Sequence, residues 1–199
     1  MENIREPKQE RSILKKEKII DAGWKLITTN GYYNTNTSEI AKNANVSIGI
    51  VYQYFKDKHD ILIAGLYKYG DDIFYPMFKL GNIKISKDNF SSVINKMIDD
   101  YVKDHKIAKD IHEEIIAMSH LDHEVADYFN NREMNLTNEL YELLKDAEFE
   151  EVDLLEKIHI MIGMIDNFCH EVVYHNHNEL DYEKMKNLII KNIYNFIAK

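Results

Sequence analysis

Residues 32–62, YYNTNTSEIAKNANVSIGIVYQYFKDKHDIL, decide the fold. Ile40, Ala41 and Ala44 fall on one face of a short helix predicted over 38–44, with Thr37 as its N-cap. Asn45 follows where the chain must turn sharply, and Asn is the non-glycine residue best suited to left-handed backbone. Val46 plugs the turn. Ser47 then caps a second short helix over 48–55, in which Val51 and Phe55 point inward four residues apart while Tyr52, Gln53 and Tyr54 lie toward the outside. Two short helices joined by a tight turn, the second presenting polar and aromatic groups, form a helix-turn-helix whose second helix fits a DNA major groove.

Upstream, a helix over 13–29 carries Ile20, Trp24 and Ile27 at i, i+4 and i+7, and Gly31 stops it. Seven glycines and two prolines in 199 residues are too few turn signals for strands in series. After Pro76 the apolar residues recur at three and four, so the chain reads as all-α with about nine helices. Further helices are predicted over 59–78, bent by Pro76, and over 88–105, 108–120 and 122–147. An eighth, 154–174, is opened by an Asp153/Glu156 capping box and is apolar on nearly every side, which predicts burial all round. Asp181 caps a ninth with the stripe Tyr182, Met185, Ile189, Ile193 and Phe196. The expected domains are 12–72, a three-helix unit with its helix-turn-helix at 37–56, and 73–199, a larger helical body.

Residues 15–62 resemble the DNA-binding domain of TetR-family transcriptional regulators. The resemblance rests on Ile19, Ala22, Gly31, Thr37, Ile40, Ala41, Ala44, Val46, Ser47, Gly49, Val51, Tyr52, Tyr54, Phe55, Lys58 and Leu62 at the family's spacing. Asn45 departs from the family's usual glycine, and Ile48 stands where a polar or basic residue is common. The resemblance implies a regulator, a repressor of a palindromic operator released by a small molecule, with Thr37 and Ser38 on a phosphate at a helix N-terminus. It places Ser47, Gly49, Tyr52 and Tyr54 along the groove and Ile48, Ile50 and Gln53 at the bases, where Gln53 suits adenine and Ile48 a thymine methyl. Lys58 would neutralise a phosphate. The alternative for Tyr52 and Tyr54 is that they cover a small core.

The formal net charge of −9 argues against nucleic acid only as an average. Residues 1–68 hold eleven Lys and Arg against eight Asp and Glu, whereas 69–199 hold fourteen against twenty-six. A mildly basic reader therefore precedes an acidic body. The lone Cys169 rules out an internal disulfide and suits a reducing cytoplasm, and no stretch is apolar enough for a signal peptide or an unassisted membrane span.

In the family the effector pocket lies in the larger domain. Candidate lining residues here are Tyr101, Met118, Phe129, His159, Asp166, Phe168 and His170, each of which also suits ordinary core. The eighth and ninth helices would pair two copies through Met161, Ile165, Val172, Met185, Ile189, Ile193 and Phe196, although apolar stripes alone do not separate a homodimer interface from an intrachain bundle. His159, Asp166 and His170 share one face of the eighth helix and could hold a divalent metal or the polar end of a ligand. No tight H-x-x-x-H or Cys pairing supports a closed site, so neither metal nor cofactor is expected. With no glycine-rich phosphate loop, G-x-S-x-G or H-E-x-x-H, an enzyme ranks last, behind a DNA-free interaction or ligand-sensing protein that retains the fold. The expected partners are duplex operator DNA, a second copy and an unidentified small molecule, with no membrane.

Overall fold

The computed structural model describes residues 10–75, 84–107, 109–150 and 152–197. Among them are nine helices and no strand: α1 (Glu10–Asn30), α2 (Thr37–Asn43), α3 (Ile48–Tyr54), α4 (Lys58–Phe74), α5 (Phe90–Ile107), α6 (Lys109–Ser119), α7 (His123–Asp146), α8 (Leu154–Tyr174) and α9 (Tyr182–Ile197). No helix among the described residues is long and apolar enough to cross a membrane. The expected continuation of the fourth helix through Pro76 to residue 78 lies outside the described residues.

The chain divides into two compact units. One comprises Met1–Phe74 with Ala108–Tyr128, the other Tyr75–Ile107 with Phe129–Lys199. Residues 108–128, which the sequence assigned to the larger body, thus belong with the N-terminal helices.

In the first unit α1 packs against α2, α3, α4 and α6. Ile19 and Ile20 of α1 meet Ile40, Ala41 and Ala44 from the α2 segment, Val51, Tyr54 and Phe55 from the α3 segment, and Ile61 of α4 in one core. Glycine permits the close approach of α1 to α4, because a Cβ on Gly23 would stand 2.3 Å from Ile61 Cγ2. Gly31 ends α1 at φ +87°, a backbone that favours glycine, and its N–H returns to the Ile27 carbonyl at 2.9 Å.

Asn45 adopts the left-handed conformation, φ 55°, that the tight turn requires. Two caps differ from expectation. The N-cap of α2 is Asn36, not Thr37: Asn36 has the extended backbone of a cap, and its side chain accepts from Glu39 N at 3.0 Å. Asp153 precedes α8 in a left-handed conformation and makes no side-chain cap bond, so no capping box forms there. Asp181 does cap α9, accepting from Lys184 N at 3.0 Å.

In the second unit α5 packs on α8 and α9, and α8 on α9. Its core joins Phe90, Ile94, Ile98 and Tyr101 of α5 to Leu136, Leu140 and Leu144 of α7 and to one face of α8. That α8 face comprises Leu154, Ile158, Met161, Ile162, Ile165, Phe168 and Cys169. The opposite face is not buried as expected, for Ile160 is 51% exposed and Gly163 is also exposed.

Candidate nucleic-acid interface

The recognition helix α3 is seven residues long, and its seat on the core decides which side chains are free. Val51, Tyr54 and Phe55 are buried, so the outer surface is formed by Ser47, Ile48, Gly49, Tyr52 and Gln53, all exposed. Tyr54 is only 6% exposed and packs in the core, which removes it from the groove-facing set. Its position explains this: Tyr54 lies three residues after Val51 and shares its face, whereas Tyr52 lies about 100° round from Val51. Ile50 is half-buried against the same core. Ser47 caps α3 through its backbone and makes no side-chain cap bond, leaving its hydroxyl available. No atom other than Ser47 Oγ, at 4.0 Å, lies within 4 Å of the place a Cβ on Gly49 would occupy, so the helix surface is open there. Thr37 is half-buried and Ser38 exposed in the first turn of α2.

Lys58 does not present its charge to the outside. Its Nζ donates to the carbonyls of Tyr32 at 2.7 Å and Thr35 at 2.9 Å, and it lies 4.2 Å from the centre of the Tyr32 ring. Such charge-assisted bonds fasten α4 to the loop between α1 and α2. Two of its three protons and its ring contact are thus internal, which leaves one N–H for the expected phosphate role. Lys42 and Lys56, which the sequence reading passed over, are exposed beside the two helices and are the freer cations.

The same loop is held from α6. Glu114 Oε1 accepts from Tyr32 N at 3.0 Å and Tyr33 N at 3.4 Å, leaving the Tyr33 ring 72% exposed. At the start of α4, Asp57 Oδ1 accepts from His59 N and Asp60 N, and the His59 ring meets Asp122 and Glu124. Asp57, His59 and Asp60 form the one grouping of metal-type ligands found among the described residues, and these bonds account for it as a helix start.

Residues 19–64 match a family model described as bacterial regulatory proteins, tetR family. This segment is similar to the N-terminal part of TetR-family regulators. The TetR-family match is strongest in its N-terminal part. The HTH-type transcriptional regulator HbdR of Aromatoleum sp. (strain CIB) is 48% identical over 52 residues, which are 26% of this chain and 23% of that protein. The Fatty acid metabolism regulator protein of Bacillus subtilis (strain 168) is 52% identical over 46 residues, 23% of this chain and 24% of that protein. These matches span about a quarter of the curated relatives' length. The fold extends further: a crystal structure assigned to the TetR family from Mesorhizobium loti MAFF303099 superposes with a TM-score of 0.68 at 16% identity, covering 94% of this chain and 97% of that one.

The remaining candidate residues distribute as follows. Met118 is buried in the first unit; Tyr101, Phe129, His159, Asp166, Phe168 and His170 belong to the second. Tyr101 donates to Asp166 Oδ1 at 2.5 Å, and His170 Nε2 lies 3.8 Å from the same oxygen. His159 instead pairs with Thr137 at 3.1 Å and faces Glu133, so it is engaged with α7. Of the dimer candidates, Met161, Ile165 and Ile193 are at most 1% exposed within a single chain. Their side chains already fill the chain's own core, which corrects their assignment to a surface between copies. Val172, Met185 and Ile189 are half-buried and Phe196 is exposed. Outward apolar groups beside this set are Ile160 on α8 and Leu188, which flanks the α9 stripe, 51% and 59% exposed.

Proposed function

We propose that this chain is a sequence-specific, cytoplasmic DNA-binding regulator, a repressor that holds a palindromic duplex operator as a homodimer and leaves it when a small molecule binds the second unit. The carrying observation is the exposed outer surface of α3, Ser47, Ile48, Gly49, Tyr52 and Gln53, backed by the buried Val51, Tyr54 and Phe55. A short helix held rigidly from behind and polar in front is what insertion into a major groove demands. Of the relatives that share this segment, one is named an HTH-type transcriptional regulator and another a fatty acid metabolism regulator protein.

In this reading Gln53 and Ile48 meet base edges, and Ser47 and Tyr52 meet the backbone. Thr37 and Ser38 offer hydroxyls and N–H groups to a phosphate. Ile160, Gly163, Leu188 and Phe196 supply the surface between copies, and two recognition helices then stand about one DNA turn, roughly 34 Å, apart.

A gel shift with the full chain and the DNA upstream of its own gene tests the reading. A saturable shift that Gln53→Ala weakens supports it. Absence of any shift favours an interaction protein that keeps the fold.

A further inference from the structure

Every carboxylate on an apolar helix face has to be neutralised or hydrated. Asp166 is the sole charged residue of α8 between Lys157 and Glu171, and among the described residues no Lys or Arg pairs with it. Its contacts are the Tyr101 hydroxyl on Oδ1 and the His170 ring at 3.8 Å, too long for a hydrogen bond. Oδ2 has no partner among the described residues, and the side chain is 47% exposed.

Tyr101 is fully buried. Burial above all, and then the Asp166 charge, push its phenol well above its usual range, so it remains a donor. A buried phenol aimed at one carboxylate oxygen fixes the rotamer of the carboxylate and leaves the other oxygen directed elsewhere. Beside it stands His170, one turn along α8, and beyond that Tyr174, two turns along, whose ring meets His170 edge to face at 5.3 Å. The exposed line Ile160, Gly163 and Asn167 lies about 100° away round the helix, so a second copy seated on that line does not have to cover Asp166.

We propose that the effector is an organic cation, held by the Asp166 carboxylate that Tyr101 positions and bordered by the His170 and Tyr174 rings. The proposal rests on the reading of the chain as an effector-responsive regulator and names the class of molecule. A fixed, half-shielded carboxylate without a Lys or Arg partner attracts a positive head group, and aromatic edges and faces beside it favour a weakly hydrated ammonium over a metal ion. An acyl carboxylate or a phosphate brought to the same place meets a like charge.

Decyltrimethylammonium and decanoate share a chain length and differ in head-group charge. Calorimetry with the full chain, below the detergent's micelle threshold, is expected to show the ammonium bound at least about tenfold more tightly than decanoate, and Asp166→Asn to abolish that preference. Asn keeps an acceptor for Tyr101, so its thermal melting should match the wild type. Tyr101→Phe should weaken the cation several-fold. Equal or tighter binding of decanoate, no measurable cation binding, or an unchanged preference in Asp166→Asn overturns the proposal. So does conversion of Asp166→Asn to a monomer, which would make Asp166 an interface group. Operator binding measured without ligand on the same samples tests the regulator reading separately.

Discussion

The Nε2 of His59, in the first turn of α4, lies 2.7 Å from Oδ2 of Asp122, the residue whose other oxygen caps α7. Nδ1 faces Glu124 at 3.3 Å, so both ring nitrogens meet carboxylates and both donate only as imidazolium. Burial pushes the Asp122 carboxyl up, but the Val125 N–H and the His59 ring outweigh it and hold the group below its ordinary value. A carboxylate with a lowered folded value contributes stability above its unfolded value of 3.8 and loses it as pH falls through the folded one.

Asp122→Asn preserves a good cap and removes the pairing with His59, and Asp122→Ala removes both. The expected losses at neutral pH are about 0.5 and about 1.5 kcal/mol. The Asn difference should shrink below pH 3.8. Urea unfolding at pH 7 and pH 3 checks this; equal losses for the two variants would show that the His59 contact, not the cap, dominates.

Lys58 and Lys56 are two residues apart and differ in what they touch. Lys58→Met leaves the Tyr32 and Thr35 carbonyls without their donor and should cost about 1–3 kcal/mol of stability. Lys56→Ala should leave the melt unchanged. If Lys56 meets a phosphate, its loss lowers operator affinity for all sequences alike and reduces the salt slope by about two for the bound dimer, about one per copy. Titrations at several salt concentrations, beside thermal melts, separate the two lysines.

The helix-turn-helix was legible because so small a unit has few apolar residues, and Ile40, Ala44, Val51 and Phe55 all have to go inside. Asn45 announced its turn by residue type alone, and α8 runs over the span its apolar pattern defines. Tyr54 takes the core alternative and Tyr52 does not, because helix angle rather than side-chain chemistry decides between them: three residues from Val51, Tyr54 faces inward. Lys58 could not have been placed, because its partners lie 23 and 26 residues earlier and only the folded loop brings them near. The α8 stripe has the same spacing whether it meets its own chain or a second copy. What distinguishes the two is the exposure of Ile160 and Gly163 opposite the filled face of Met161 and Ile165.

Tyr52 and Tyr54 give a matched pair for separating surface from core. Tyr52, 48% exposed, should tolerate alanine with a change in stability within about 0.5 kcal/mol, and under the regulator reading it loses operator affinity. Tyr54→Ala removes a buried aromatic and should cost about 3–5 kcal/mol. Circular-dichroism melts of the two variants check the stability difference, and a gel shift of Tyr52→Ala checks affinity. A folded Tyr52→Ala that binds the operator like the wild type would remove Tyr52 from the interface.

The assignment of the surface between copies to Ile160, Gly163, Leu188 and Phe196 makes a prediction that the buried candidates do not. Nothing lies within 4 Å of the place a Cβ on Gly163 would occupy, so a large side chain there meets no obstacle inside the chain. Gly163→Arg gains helix propensity and adds charge to the outward face, and Leu188→Arg adds a charge on α9 at nearly unchanged propensity. Both should therefore keep the helical content and melting cooperativity of a single folded chain while raising the dimer dissociation constant at least about a hundredfold, as an unpaired charge in an apolar contact requires. Met161→Arg, by contrast, places a charge among Met161's buried neighbours and should unfold the second unit. Sedimentation over a range of protein concentrations distinguishes these outcomes. A Gly163→Arg protein that remains dimeric at nanomolar concentration would place the contact between copies on another face.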